Sequence, residues 1–125
     1  MPDPIDPRVD IGHVHLKVAD LDRALAFYSG ILGFQVTARM GPSAVFLSAG
    51  GYHHHIGLNT WAGVGAPPPP PDAIGLRHFV VTLPNEAARA EVEARLRSAS
   101  IAFDISADGL LVRDPSQNEI LFSLG

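Results

Sequence analysis

One pattern is written twice in this chain. His13 opens an alternating stretch and Asp20 a helical one; His78 and Asn85 do the same, and each pair lies 65 positions apart. In the first copy, His-Val-His-Leu-Lys-Val over 13–18 alternates polar and apolar, as a strand with one buried face does. Asp20 predicts a helix N-cap, and Asp22 suits the positive helix end. Leu21, Ala24, Leu25, Tyr28 and Leu32 then recur at helical spacing up to Gly33, a predicted left-handed cap. Strands are predicted over 34–38, 43–48 and 53–60, with turns at Met40-Gly41-Pro42 and Ala49-Gly50-Gly51. The second copy predicts a strand over 78–83 and a helix over 86–98 capped by Asn85. Ala88, Val92 and Leu96 turn inward there, while Glu91–Arg95 and Glu93–Arg97 pair on the solvent side. Strands follow over 101–105, 109–113 and 118–124.

A four-stranded sheet with one helix cannot bury both of its faces. Two such βαβββ units side by side predict an α+β fold: a curved mixed sheet, helices on its outer face, and a concave polar cleft. Residues 1–10 read as a proline-rich extension and 11–124 as a single domain, with unit one at 11–60 and unit two at 75–124. The connector, 61–74, holds Pro67–Pro71, five prolines that favour a stiff polyproline II rod.

Composition removes several function classes. The chain has 125 residues, 46% of them hydrophobic and 18% charged, enough for one globular core. A net charge of −4 argues against duplex nucleic acid and anionic membrane surfaces, which are bound through dense positive charge. No apolar run approaches the ~20 residues of a membrane span. The opening Met-Pro-Asp-Pro-Ile-Asp-Pro is unlike a secretory signal. Without cysteine there are no disulfides, thiolate ligands or thiol nucleophiles. A cytoplasmic protein acting on a small molecule is the expectation.

Strand parity then assigns the cleft. With Val14, Leu16 and Val18 toward the helix, His13, His15 and Lys17 face the concavity. With Phe79, Val81 and Leu83 inward to the core, His78 faces the cleft. Ile120, Phe122 and Leu124 face the core, which puts Glu119, Leu121 and Ser123 on the other side. On the fourth strand Ile56 and Leu58 take the core with His54, leaving His53, His55, Gly57 and Asn59 in the cleft. The set His13, His55, His78 and Glu119 suits a borderline divalent ion such as iron, manganese or zinc. Trp61 reads as a lid or core residue.

At these residues the chain resembles the vicinal oxygen chelate superfamily, which holds glyoxalase I, extradiol ring-cleavage dioxygenases and the bleomycin and fosfomycin resistance proteins. The likeness rests on the His13–Phe34 stretch, on Gly75-Leu-Arg-His78-Phe, and on Arg113-Asp-Pro-Ser-Gln-Asn118-Glu-Ile, and covers roughly residues 11–124. Ser48–Trp61, with Tyr-His-His-His-Ile-Gly-Leu-Asn-Thr-Trp, is similar to one half of two-domain bacterial catechol 2,3-dioxygenase-like proteins. The resemblance implies a metal cleft and a homodimer. It makes His13 and His78 metal ligands and His53, His54 or His55 the acid/base beside the ion. His15, Lys17, Asn59 and Leu121 become substrate contacts. The usual ending, Asp-Pro-x-Gly-Asn-x-Ile-Glu, departs here: Leu121 stands at the ligand glutamate and Gln117 at the glycine. Glu119 lies two residues earlier on the same face, ~6–7 Å along the strand. His55 or Glu119 is therefore the third donor.

Two readings follow. One is a metal-dependent enzyme, extradiol-dioxygenase-like, using iron(II) or manganese(II), or zinc, on a small oxygenated aromatic substrate. The other is a metal-free protein that sequesters a small aromatic or antibiotic-like molecule, which Leu121 favours. The enzyme is preferred because three inward imidazoles are too polar for a purely apolar pocket, and burying them without partners is costly.

Overall fold

The computed structural model describes residues 14–50, 55–68 and 76–124. His13, His53 and His54, the expected extension and the later part of the connector lie outside the described residues. Unit one runs β1 (Val14–Lys17), α1 (Leu21–Leu25), a π-helical segment (Ala26–Ile31), β2 (Gln35–Met40), β3 (Ala44–Ser48) and β4 (Ile56–Asn59). Unit two runs β5 (Phe79–Leu83), α2 (Glu86–Ser98), β6 (Phe103–Ser106), β7 (Gly109–Arg113) and β8 (Glu119–Leu124). The chain is thus α+β, with two four-stranded mixed sheets ordered β1-β4-β3-β2 and β5-β8-β7-β6. In each sheet the first strand of the unit pairs parallel with the fourth, and the other ladders are antiparallel.

Local chemistry places both helices where the sequence predicts them. The Asp20 carboxylate accepts the Arg23 N–H at 3.1 Å, and Asn85 Oδ1 accepts that of Ala88 at 2.9 Å. Each cap satisfies a donor that the first helical turn leaves orphaned. The solvent pairs form too, Arg95–Glu91 at 2.8 Å and Arg97–Glu93 at 2.6 Å. Gly33 adopts φ +92°, as a left-handed cap needs.

The first helix differs from expectation. It is regular for five residues and then widens, the Leu32 N–H reaching the Phe27 carbonyl at 2.9 Å, five residues back. Such a widened turn slips the register of the following side chains. Two neighbours where it begins, Phe27 and Tyr28, are both buried, three and four residues after the buried Ala24, with their rings perpendicular at 5.0 Å.

One core joins the units. Leu16, Val18, Phe27, Tyr28, Val45, Leu47, Ile56 and Leu58 of unit one cluster with Leu96, Leu110, Val112, Ile120 and Phe122 of unit two. Each fully buried side chain of this kind contributes about 1.5–3 kcal/mol. Leu124, expected in this core, ends its strand and is 40% exposed.

A polar joint completes the contact. Asp114, in the β7–β8 turn, is buried, and its carboxylate accepts from the Tyr28 hydroxyl at 2.8 Å. It also accepts from the N–H of Ser116 and Asn118 and from Asn118 Nδ2, at 2.8, 2.9 and 2.9 Å. The same turn grips the end of β1: Asn118 Nδ2 donates to the Lys17 carbonyl at 2.9 Å, and the Ala19 N–H donates to Ser116 Oγ at 2.9 Å. Burial first, then the charge and hydrogen bond of Asp114, push the Tyr28 hydroxyl far above the ordinary tyrosine range.

Candidate functional site

The helices cover one face of each sheet, so chemistry belongs to the other. On unit one the register lines up His15 of β1, Gly57 of β4 and Phe46 of β3 in one row. On unit two the corresponding row is Val80 of β5, Leu121 of β8 and Leu111 of β7.

The unit-one row is aromatic because its centre is glycine. A Cβ at Gly57 would sit 2.7 Å from Cε1 of His15, so only glycine lets that imidazole lie against the strand. The His15 ring meets Phe46 edge-on at 5.8 Å and Trp61 in a near-parallel stack at 6.4 Å and 26°. Two hydrogen bonds hold this residue, one from its backbone and one from its ring. The Trp61 N–H donates to Asn59 Oδ1 and its Nε1–H donates to Ser43 Oγ, each at 3.3 Å. Trp61 nevertheless stays 61% exposed, at the open side and not in the core.

The sequence-predicted residues fall out as follows. His15 and Lys17 are exposed on the open face of β1. His55 directly precedes β4 and is half-buried; its Nδ1 accepts the Ala49 N–H at 3.2 Å. That bond assigns the proton of the neutral ring to Nε2. Asn59 shares the face but is only 6% exposed, its Oδ1 engaged by Trp61. Leu121 is half-buried between Val80 and Leu111. His78 is exposed just before β5. Glu119 shares the open face with Arg113, whose Nε and Nη2 both donate to its Oε1, at 3.1 and 2.8 Å.

These donors do not fit a divalent ion by themselves. No three of the described histidine, aspartate and glutamate side chains converge. Glu119 is already neutralised by Arg113. A metal-bound imidazole usually donates its second nitrogen's proton to a neighbour, whereas His55 accepts there.

Phe46 and Arg113 were not predicted as site residues, and Gly57 was placed in the cleft without a role. Arg113 was within reach of parity, since residues flanking a short hairpin turn face each other. A groove of about 500 Å³ runs between the two helical segments past Gly30, Ile31, Ala94 and Arg95. It lies on the helix side, away from these rows, and its charged residues, Glu91 and Arg95, already pair.

Comparison with known proteins adds three findings. A family model described as the Glyoxalase/Bleomycin resistance protein/Dioxygenase superfamily matches residues 10–122. The chain is 47% identical over 106 residues to a catechol-2,3-dioxygenase of Bacillus subtilis (strain 168), covering 84% of this chain and 37% of that protein. It is 33% identical over 110 residues to a biphenyl-2,3-diol 1,2-dioxygenase of Paraburkholderia xenovorans (strain LB400), covering 81% and 30%. The chain thus spans about a third of the length of these relatives. Among solved structures, a lactoylglutathione lyase from Agrobacterium tumefaciens superposes with a TM-score of 0.70 over 96% of both chains, at 24% identity, which speaks for the fold alone.

Proposed function

The chain belongs to the Glyoxalase/Bleomycin resistance protein/Dioxygenase superfamily, and on that premise we propose that it acts on a small oxygenated aromatic substrate in the manner of an extradiol dioxygenase. The observation that carries this is the 47% identity to a catechol-2,3-dioxygenase, joined to an open face that presents imidazole, amine and aromatic groups together. We take a homodimer as the proposed working assembly, in keeping with the family resemblance.

In this reading Lys17 supplies positive charge beside the bound oxygens, and His55 offers the proton on its Nε2 to one of them. His53 and His54 are further proton carriers, and His15 borders the ring. His13 and His78 are the proposed ion positions, for iron(II) or manganese(II), with zinc as the redox-inactive substitute. When bound, such an ion polarises substrate oxygens. The described donors do not complete its shell, so no step is assigned to it here.

The test is metal analysis of untagged protein, followed by oxygen uptake with catechol after anaerobic addition of iron(II). The reading expects about one iron per chain and ring cleavage that is lost in both His13→Ala and His78→Ala. Protein that takes up no iron and consumes no oxygen would sink it.

A second reading, a metal-free binder of a small aromatic molecule, is favoured by one specific feature. Glu119 is tied to Arg113, and the neighbouring position on that face is the apolar Leu121. Stoichiometric binding of catechol with no turnover under iron loading is the result that would select it.

A further inference from the structure

We propose that His15, Phe46 and Trp61 form a stacking floor that selects ligands by a planar aromatic ring, so that Trp61 is a specificity-determining residue. The inference deepens the reading above and rests on it for the choice of a small aromatic occupant.

Two features of the row have no explanation in packing. Trp61 is 61% exposed, so it contributes little to the core, yet its ring Nε1–H is held by Ser43 Oγ and its backbone N–H by Asn59 Oδ1. A free indole edge left in water would not need to be held. Gly57 sits in the interior of a strand, where glycine weakens the ladder and often marks a close approach of a ligand or a backbone. Here it leaves room for the imidazole to lie down, which a Cβ would prevent. The corresponding row of unit two shows the ordinary solution, an aliphatic side chain at every position. Unit one departs from it by three rings and a glycine.

The chemistry of the surroundings names the occupant. The floor is ring-sized and π-rich, and rings stack offset or edge-to-face on such surfaces. Lys17 lies on the same open face two residues from His15, and the His55 imidazole flanks Gly57 along β4. A planar ring bearing hydroxyl groups meets both requirements at once. An aliphatic diol meets only the polar one.

The experiment uses the full chain purified without added metal. Catechol and trans-cyclohexane-1,2-diol both carry adjacent hydroxyl groups, and only the first has an aromatic ring. Trp61 is the one tryptophan of the sequence, so its emission reports on this floor alone. Catechol is expected to quench it saturably and the diol to leave it unchanged. By calorimetry, Trp61→Leu should weaken catechol binding by about tenfold or more, and Trp61→Phe by less than about threefold. Gly57→Ala should weaken it as well by displacing the His15 ring, with circular dichroism checking that each variant is folded. Quenching that grows linearly without saturating, or Trp61→Leu binding catechol as tightly as the parent, overturns the proposal. So does a Trp61→Leu chain that loses a sedimenting dimer but keeps catechol binding, which would assign the patch to a second copy. Failure of ring cleavage under iron loading leaves the titration intact, so the functional reading and this one fail separately.

Discussion

The two open faces share a backbone and differ in what they carry. His15, Gly57 and Phe46 occupy the row that Val80, Leu121 and Leu111 occupy in unit two. The next row differs as well: His55 directly precedes β4 in unit one, while Glu119 begins β8 and is closed by Arg113 in unit two. A repeated unit fixes where side chains point and leaves their chemistry open. One copy kept a plain apolar row with a satisfied ion pair beside it. The other assembled an exposed aromatic surface that the core does not need.

The sharpest way to break this comparison is to cut the joint that holds the faces in register. Asp114→Ala strands the Tyr28 hydroxyl and the Ser116 and Asn118 amides. Losing one buried charged partner of several donors should cost about 3–5 kcal/mol, read by urea denaturation. A loss below about 1 kcal/mol would mean the units are held by apolar packing alone.

Tyr28→Phe removes one of those bonds and should cost about 1–3 kcal/mol. It also carries a pH signature. The hydroxyl keeps its proton far longer in the folded chain than in the unfolded one, where tyrosine titrates near 10. The stabilisation is complete below about pH 10 and is lost as pH rises above it, at up to about 1.4 kcal/mol per pH unit. The variant should lack that part of the alkaline slope; an unchanged slope would remove Tyr28 as its source.

Leu121→Ala probes the apolar row. It should cost about 1–2 kcal/mol of stability, because the side chain is half-buried, and leave catechol binding unchanged. An equal loss of binding would make the two faces one site. The smallest effect is expected of Glu119→Gln. Its partner Arg113 is mostly exposed, so breaking the pair should cost less than about 1 kcal/mol. Iron uptake should not change, since Arg113 already holds that carboxylate; a drop in metal content would make Glu119 a ligand.

Much of the backbone was legible in the sequence. The 65-residue spacing located both units, the capping residues located both helices, and parity put Ile56 and Leu58 in the core and Gly57 and Asn59 opposite. What stayed hidden was non-local. The Asp114–Tyr28 bond spans 86 residues, and nothing in Asp-Pro-Ser-Gln-Asn beyond a turn announces a partner so distant. The widened turn was hidden because Leu21, Ala24, Leu25, Tyr28 and Leu32 fit a regular helix, and nothing in that spacing announces the slip at Leu32. The aromatic floor was hidden for a third reason. Gly57 reads as a gap in a strand until the ring that lies over it is seen. Of the histidines named for catalysis or metal, His13, His53 and His54 lie outside the described residues, and their roles stay proposals.

The central claim is that the aromatic row of unit one, and not the apolar row of unit two, holds the ring of the ligand. Amide chemical-shift mapping of the full chain during a catechol titration tests it most directly. The account predicts shifts concentrated at His15, Phe46, Gly57 and Trp61, with Val80, Leu111 and Leu121 unmoved. Shifts centred on Val80, Leu111 and Leu121, or spread equally over both rows, would contradict it.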